Sequence, residues 1–363
     1  MILLPTCLAI RQSKGKDMAL LWFDGFENYE HLADILAVDG RYTYNDTLAF
    51  QAYGRNGGRN LYISYQDYVR AAIPEEPSTI IWGFAVRDTN PAAPVVSNDV
   101  ARVLSAALDG PLGNVHLYFQ VTASRTIVCK NSAWSTIGTT SGHTLSYNVW
   151  HYVEIKATIS DTVGQVTINV DGVERLSTSA DKDTKNGANA YVGAIQLGQI
   201  YNHNIRFDDF YVCDTSGSKN NDFLGDIRVD VLRPNAPGTY ADFNPSTGAN
   251  WENVDETYPT GTEYNDGSNV GDQDSYNVAS LPSPAGTTIH GVKSQITVKK
   301  TDATLRKCKI LTRAGSTDDL GPTITLTIGY ETHAKIFEDN PDDSADWEDA
   351  DVNAVEVGVE VTV

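Results

Sequence analysis

Residues 164–178, GQVTINVDGVERLST, limit the possible fold more than any other stretch of the chain. Val166, Ile168 and Val170 alternate with polar residues, the period of a strand with one buried face. The run stops at Asp171-Gly172, a dipeptide suited to a two-residue type I′ turn because both positions tolerate positive φ. Val173 and Glu174 then lead a return strand. Runs of the same kind recur at NLYISY (60–65), TIIWGFAV (79–86), NVHLYFQV (114–121), HYVEIKATI (151–159), SQITVKKT (294–301) and PTITLTIGY (322–330). Gly, Asn, Asp and Pro separate them, which predicts an all-β sandwich. Two Met against 18 Tyr and 29 Gly agree with that, and long Ala-, Leu-, Glu- and Lys-rich stretches are missing.

The 363 residues are long for one domain and comfortable for two. Met18 opens MALLWFDGFENY, which reads as the beginning of a domain and leaves residues 1–17 as an N-terminal arm. The small, polar stretch TSGSKNND (215–222) reads as a junction. The expected domains are therefore 18–216 and 217–363. Within the second, 225–234 is predicted as a strand and 238–275 as a long polar loop that is functional or held against a neighbour. A short helical turn is predicted over Ala350–Glu356, stopped by Gly358 and followed by a closing strand.

Lys and Arg total 27 against 47 Asp and Glu, a formal charge of −20. Such a surface repels phosphate backbones and anionic lipid, so neither nucleic acid nor membrane insertion is expected. The acidic run at 338–351 reads as a solvated loop. No run approaches the ~18 apolar residues of a membrane span. The opening MILLPTCLAIRQSKGKD has its basic residues after the apolar run, the reverse of a secretory signal. Cys7, Cys129, Cys213 and Cys308 form no CxxC pair, so buried free thiols made in a reducing cytoplasm are expected.

WHYVEIKATI, VTINVDGVE and IRFDDFYVCDTSG follow one another in the order found in the laminin-G-like, concanavalin A-like jelly roll, which residues 18–216 resemble. The later segments NNDFLGDIRVDVLRPNAPGTYADFNPSTGANWENVDE, GDQDSYNVASLP and ADWEDADVNAVEVGVEV resemble virion structural proteins of tailed bacteriophages. Trp347, Ala350, Asp351, Val352, Asn353, Ala354, Glu356 and Gly358 carry the W-x-x-A-D-V-N-A-x-E-x-G ending of that family. The resemblance implies a concanavalin A-like jelly roll followed by a smaller jelly-roll-like β domain. It also implies a structural protein made in the host cytoplasm and located in the virion.

Adjacent Asp208 and Asp209 are the chain's most conspicuous acidic pair. A regular strand points neighbours to opposite faces, wrong for a cooperating catalytic pair. The E-x-D-x-x-E strand of β-glucanases, G-x-S-x-G and H-E-x-x-H are all absent. The expected role of the pair is structural, through backbone N–H groups or Arg206, with Ca²⁺ on a rim loop as the alternative. No residue is assigned a catalytic, cofactor-binding or metal-ligating role, and the chain is not expected to be an enzyme. Trp82, Trp134 and Trp150 are the candidates for a sugar-stacking platform, but Trp150 is expected in the core and Trp134 in a core or subunit interface, with an exposed contact as its alternative because it sits at a turn. Trp251 and Trp347 read as interface anchors, and His143 and His151 as satisfied histidines.

The expected function is a tail-displayed virion component, tip- or fibre-associated, that recognises host-surface glycans. A capsid decoration or head-fibre protein and a tail-associated glycan-degrading enzyme are the alternatives. Expected partners are other virion proteins and further copies of the chain, with a trimer as the first expectation. The arm and the 238–275 loop would make those contacts.

Overall fold

The computed structural model describes residues 2–6, 18–31, 34–35, 38, 40–45, 48–64, 67–90, 98–105, 115–142, 145–198, 204–282 and 286–363. Cys7, His143 and most of the expected arm, residues 7–17, lie outside them. The chain is all-β and divides into two compact units. One is Met18–Leu32 with Gly40–Val229; the other is Met1–Asp17, Ala33–Asp39 and Asp230–Val363. Among the described residues no helix is long and apolar enough to cross a membrane.

The first unit is a jelly-roll sandwich of two antiparallel sheets. One has seven strands in the spatial order Thr136–Thr139, Ile127–Asn131, Val115–Val121, Asn98–Leu104, Ala194–Gly198, Tyr68–Ala72, Tyr42–Asn45. The other has eight, in the order Val173–Ser177, Gln165–Val170, Trp150–Thr158, Thr79–Asp88, Asn204–Asp214, Arg59–Ser64, Ala49–Ala52, with Leu20–Asp24 also paired to Asn204–Asp214. Alternation sends Trp82, Phe84, Phe207, Leu61 and Val153 of the second sheet inward against Phe119, Leu117, Val103, Ile195 and Val69 of the first, all buried. Trp82 meets Phe119 edge-on at 5.4 Å, and Phe84 meets Phe207 at 5.6 Å. The hairpin at 171–172 forms as its residues require, with φ of 51° at Asp171 and 73° at Gly172.

The predicted strand at 225–234 does not form. Residues 222–229 instead lie on the outer face of the eight-stranded sheet, where the Leu224 and Gly225 amides donate to Tyr211 Oη and Glu154 Oε1. Those donors are spent on side chains and are not available to a strand ladder.

In the second unit a six-stranded sheet has the order Pro234–Ala241, Gln273–Val278, Glu356–Val361, Lys307–Ala314, Thr317–Leu320, with Ile324–Thr325 also on Lys307–Ala314. A three-stranded sheet places Val292–Lys299 between Glu331–Phe337 and the N-terminal strand Ile2–Thr6. Tyr276, Ile296, Val298, Ile310 and Val359 form the core between the two sheets. The 238–275 region is partly regular, containing Asn244–Pro245 paired with Asn265–Asp266 and a 3₁₀ turn at Asn250–Asn253. Of the predicted strand at 322–330 only Ile324–Thr325 is regular. The short helix is Asp349–Val352, and Gly358 does not stop it. Gly358 sits inside the last strand between Ser275 and Leu311, where a Cβ would overlap the Asp274 carbonyl oxygen, so only glycine fits.

Candidate functional site

Asp208 and Asp209 fall where the 204–214 strand loses its regular register. Asp208 pairs with Ala85, but the next pair along is Tyr211 with Gly83, and Asp209 has φ 47°. This bulge overturns the opposite-faces expectation: an extra residue re-aims the side chains, and both carboxylates reach the 54–58 turn. Asp208 Oδ2 accepts the Arg55 amide at 2.7 Å. Asp209 Oδ2 accepts Arg55 Nη1 at 3.2 Å and Asn56 Nδ2 at 3.3 Å, while its Oδ1 accepts the Val229 amide at 2.9 Å. The basic partner is therefore Arg55, which also pairs with Asp226, and not Arg206.

Glu27 completes the cluster, and its Oε2 is buried without a hydrogen-bond partner. A Cβ on Gly58 would come within 2.7 Å of Glu27 Cγ, and one on Gly54 within 2.9 Å of Asp208 Oδ2, so backbone closes directly over the carboxyls. Burial, then the charge of Asp209, pushes Asp208 up to about 8. Burial raises Asp209 to about 6 against the pull of Val229 N–H and Arg55, and it raises Glu27 too, with Asp208 and Asp209 adding to it. Burial thus favours the protonated carboxyls, and Arg55 offsets charge that remains on Asp209. Glu27, Asp208 and Asp209 are the side chains a hard cation would use, yet among the described residues no three His, Cys, Asp or Glu are arranged to hold a metal ion. Each aspartate is 1% exposed, which leaves no access for a substrate bond.

The outer face of the seven-stranded sheet carries a second arrangement. Thr136, Lys130, Tyr118, Arg102, Gln196, Arg70 and Thr43 stand opposite one another in register, forming one row across all the strands. Arg102 lies 5.0 Å from the Tyr118 ring and donates to Asp99 Oδ2 at 2.6 Å, while Gln120 Nε2 donates to Asp99 Oδ1 at 2.6 Å. Arg70 Nε donates to Gln196 Oε1 at 2.9 Å. Gln120 Oε1 is buried and has no partner. The centre of the row is buried and its Trp134 end is open.

Trp134 has φ 62°, rare for a bulky side chain, in a turn closed by its amide on Asn131 O and by the Ser135 amide on Asn131 Oδ1. Its ring stacks on Tyr118 at 4.8 Å and 21°, with Lys130 Nζ 5.5 Å from the ring centre, and the residue stays 54% exposed. Left-handed backbone costs an L-residue about 1–2 kcal/mol, so the turn spends stability to present an indole. Such a platform, with a cation and amides beside it, can stack a sugar ring and hydrogen-bond its hydroxyls.

The remaining singled-out residues sort simply. Trp150 is partly exposed on the outer face of the eight-stranded sheet, opposite Arg87, because the parity that buries Val153 and Ile155 turns it outward. Trp347 is core in the second unit, donating to Phe337 O at 3.2 Å, and Trp251 packs on the neighbouring core, so neither is a free interface anchor. His151 bonds Asp171 Oδ2 at 2.8 Å and accepts the Ser146 amide at 2.9 Å. Cys129, Cys213 and Cys308 are buried and form no disulfide among the described residues. The Tyr118–Arg102–Gln196–Arg70 row escaped sequence reading: its members occupy alternate positions in four strands, and only the register lines them up.

No protein-family model matches the chain, and no curated protein matches its sequence. Similar solved structures include domain 4 of an extracellular arabinanase from Geobacillus stearothermophilus, at 13% identity, 57% of this chain, 96% of that one and TM-score 0.36. A carbohydrate-binding module from Bacillus subtilis matches at 12% identity, 48% and 96% coverage and TM-score 0.33. A carbohydrate esterase from the Shiga toxin-encoding bacteriophage phi24B matches at 12% identity, 53% and 98% coverage and TM-score 0.34. At these values the likeness bears on neither ligand nor activity.

Proposed function

We propose that the chain is a structural component of a tailed-phage virion whose first unit binds host-surface glycan through the Trp134 end of the seven-stranded sheet. The observation that carries glycan binding is the indole itself, held exposed by left-handed backbone and stacked on Tyr118. A strained backbone position that keeps a bulky aromatic half exposed points to a functional constraint. The virion assignment is supported by the sequence ending from Trp347 to Gly358. Further copies of the chain, three in the first instance, would supply the avidity that single weak sugar sites need.

A glycan array with the intact protein tests the first half. Binding that disappears in Trp134→Ala, with the fold intact by circular dichroism, is the expected result; an array blank for both proteins refutes it. Gold-tagged antibody against the first unit, imaged on purified particles, tests the second half. Gold on the tail is expected, gold over the head would make it a decoration or head-fibre protein, and unlabelled particles would refute the virion assignment. Release of reducing ends from host polysaccharide would replace binding with cleavage.

A further inference from the structure

On the eight-stranded sheet, away from Trp134, another in-register row crosses the outer face. Trp150 stands opposite Arg87, Arg87 opposite Arg206, and Arg206 opposite Tyr62. Like charges directly across a strand pair repel, and sequences avoid them without a reason to keep them. Among the described residues the two guanidiniums also have no carboxylate counter-ion. Arg87 donates from Nε and Nη2 to Asn148 Oδ1 at 3.0 and 2.7 Å, a neutral acceptor. Arg206 donates from Nη1 to the Ala52 carbonyl at 3.1 Å, and its Nε is buried without a partner.

In a chain of 47 carboxylates, neither arginine pairs with one among the described residues. Nearby acids are engaged elsewhere: Asp88 takes Arg125 and the Asn90 amide, and Asp208 takes the Arg55 and Asp209 amides. Burial, followed by the charge of Arg87, lowers the pKa of Arg206, the mark of a cation short of an anion.

The surroundings narrow the ligand. The Trp150 ring lies 6.0 Å from the Arg87 guanidinium carbon and the Tyr62 ring 5.7 Å from that of Arg206. Two residues with left-handed backbone flank the row, Asn148 at φ 59° and Tyr53 at φ 80°, the latter 76% exposed. Four adjacent strands span roughly 14 Å at the usual inter-strand spacing. We infer that this row is a binding site for an acidic saccharide, in which Arg87 and Arg206 receive a carboxylate or sulfate and Trp150, Tyr62 and Tyr53 pack against the sugar rings. A planar guanidinium fork matches such an oxyanion, and an open aromatic-lined strip suits an extended chain of sugars. The overall charge of −20 does not forbid this, because repulsion from carboxylates beyond ~10 Å is screened in physiological salt.

Isothermal titration of the full chain with an oligogalacturonate, a sulfated oligosaccharide and a neutral oligosaccharide of equal length tests the site. The expected result is binding of an acidic probe and not the neutral one, weakened about tenfold or more in Arg87→Gln and in Arg206→Gln, the value of a lost charge-assisted hydrogen bond. The same titrations in the Trp134→Ala background remove any sugar held by the Trp134 platform, and both the preference for the acidic probe and its loss in Arg87→Gln and Arg206→Gln should persist there. Thermal melting adds a readout that a structural role would move the other way: relieving Arg–Arg repulsion should hold or raise the melting temperature of both variants. The inference is overturned if, in the Trp134→Ala background, no acidic saccharide binds, the neutral probe binds equally, or neither arginine substitution weakens binding. An Asp/Glu-rich peptide binding as tightly as the saccharides would also overturn it.

Discussion

Replacing Asp208 by Asn should flatten the pH dependence of the first unit's stability. In the folded chain Asp208 is raised from 3.8 to about 8, so the native state holds a proton that the unfolded chain releases near pH 4. A carboxyl raised in this way contributes stability that is complete below its unfolded pKa and is lost as pH rises through the folded one. Asp209, raised to about 6, and Glu27, raised for the same reason, act in the same direction. Each tenfold in proton affinity is worth about 1.4 kcal/mol. Between pH 5 and pH 8 Asp208 alone therefore puts about 4 kcal/mol at stake, or roughly 10 °C in melting temperature for a unit of this size. Asn keeps the size of the side chain and cannot ionise.

Calorimetry of both proteins in chelator from pH 5 to pH 8 should show the wild-type transition falling and the Asp208→Asn transition falling by roughly 10 °C less. Equal slopes, or a wild-type transition that rises with pH, would refute the reading that burial favours the protonated carboxyls. Repeating the series with Ca²⁺ adds a second decision: stabilisation confined to the upper end of the range and absent from Asp208→Asn would give the three carboxyls to a cation.

Three further outcomes are expected. Trp134→Gly should melt higher than Trp134→Ala, by about 1 kcal/mol in stability, because only glycine relieves the left-handed backbone while both lose the indole; equal melting would remove strain from the argument. Gly358→Ala should destabilise the second unit by about 3 kcal/mol or more, since the added methyl overlaps the Asp274 carbonyl in a central strand, and native-like melting would show that the strand can shift. Removing residues 2–6 should open the 295–299 edge of the three-stranded sheet and promote self-association, readable by light scattering; a monodisperse, unchanged protein would make that strand dispensable.

What the sequence alone determined is whatever depends on neighbours in the chain. Period-two alternation in 164–170 and the Asp171-Gly172 turn required a hairpin, and the hairpin is there with both φ values positive. Chain-local reading failed at Asp208–Asp209 because a bulge belongs to a pair of strands: it is defined by Ala85 and Gly83 on the partner, not by the letters around it. It failed at Gly358 for a related reason, since the carbonyl that demands glycine comes from Asp274 on another strand.

The two candidate binding rows show the same division. Alternation says that Arg102, Gln196 and Arg70 point outward, but Arg70 meets Gln196 across 126 residues of chain. The Arg87–Arg206 pair is assembled by pairing between 79–88 and 204–214. Which face a side chain takes is a local property of strand geometry. Which side chains stand beside it depends on register, and only the tertiary structure decides that.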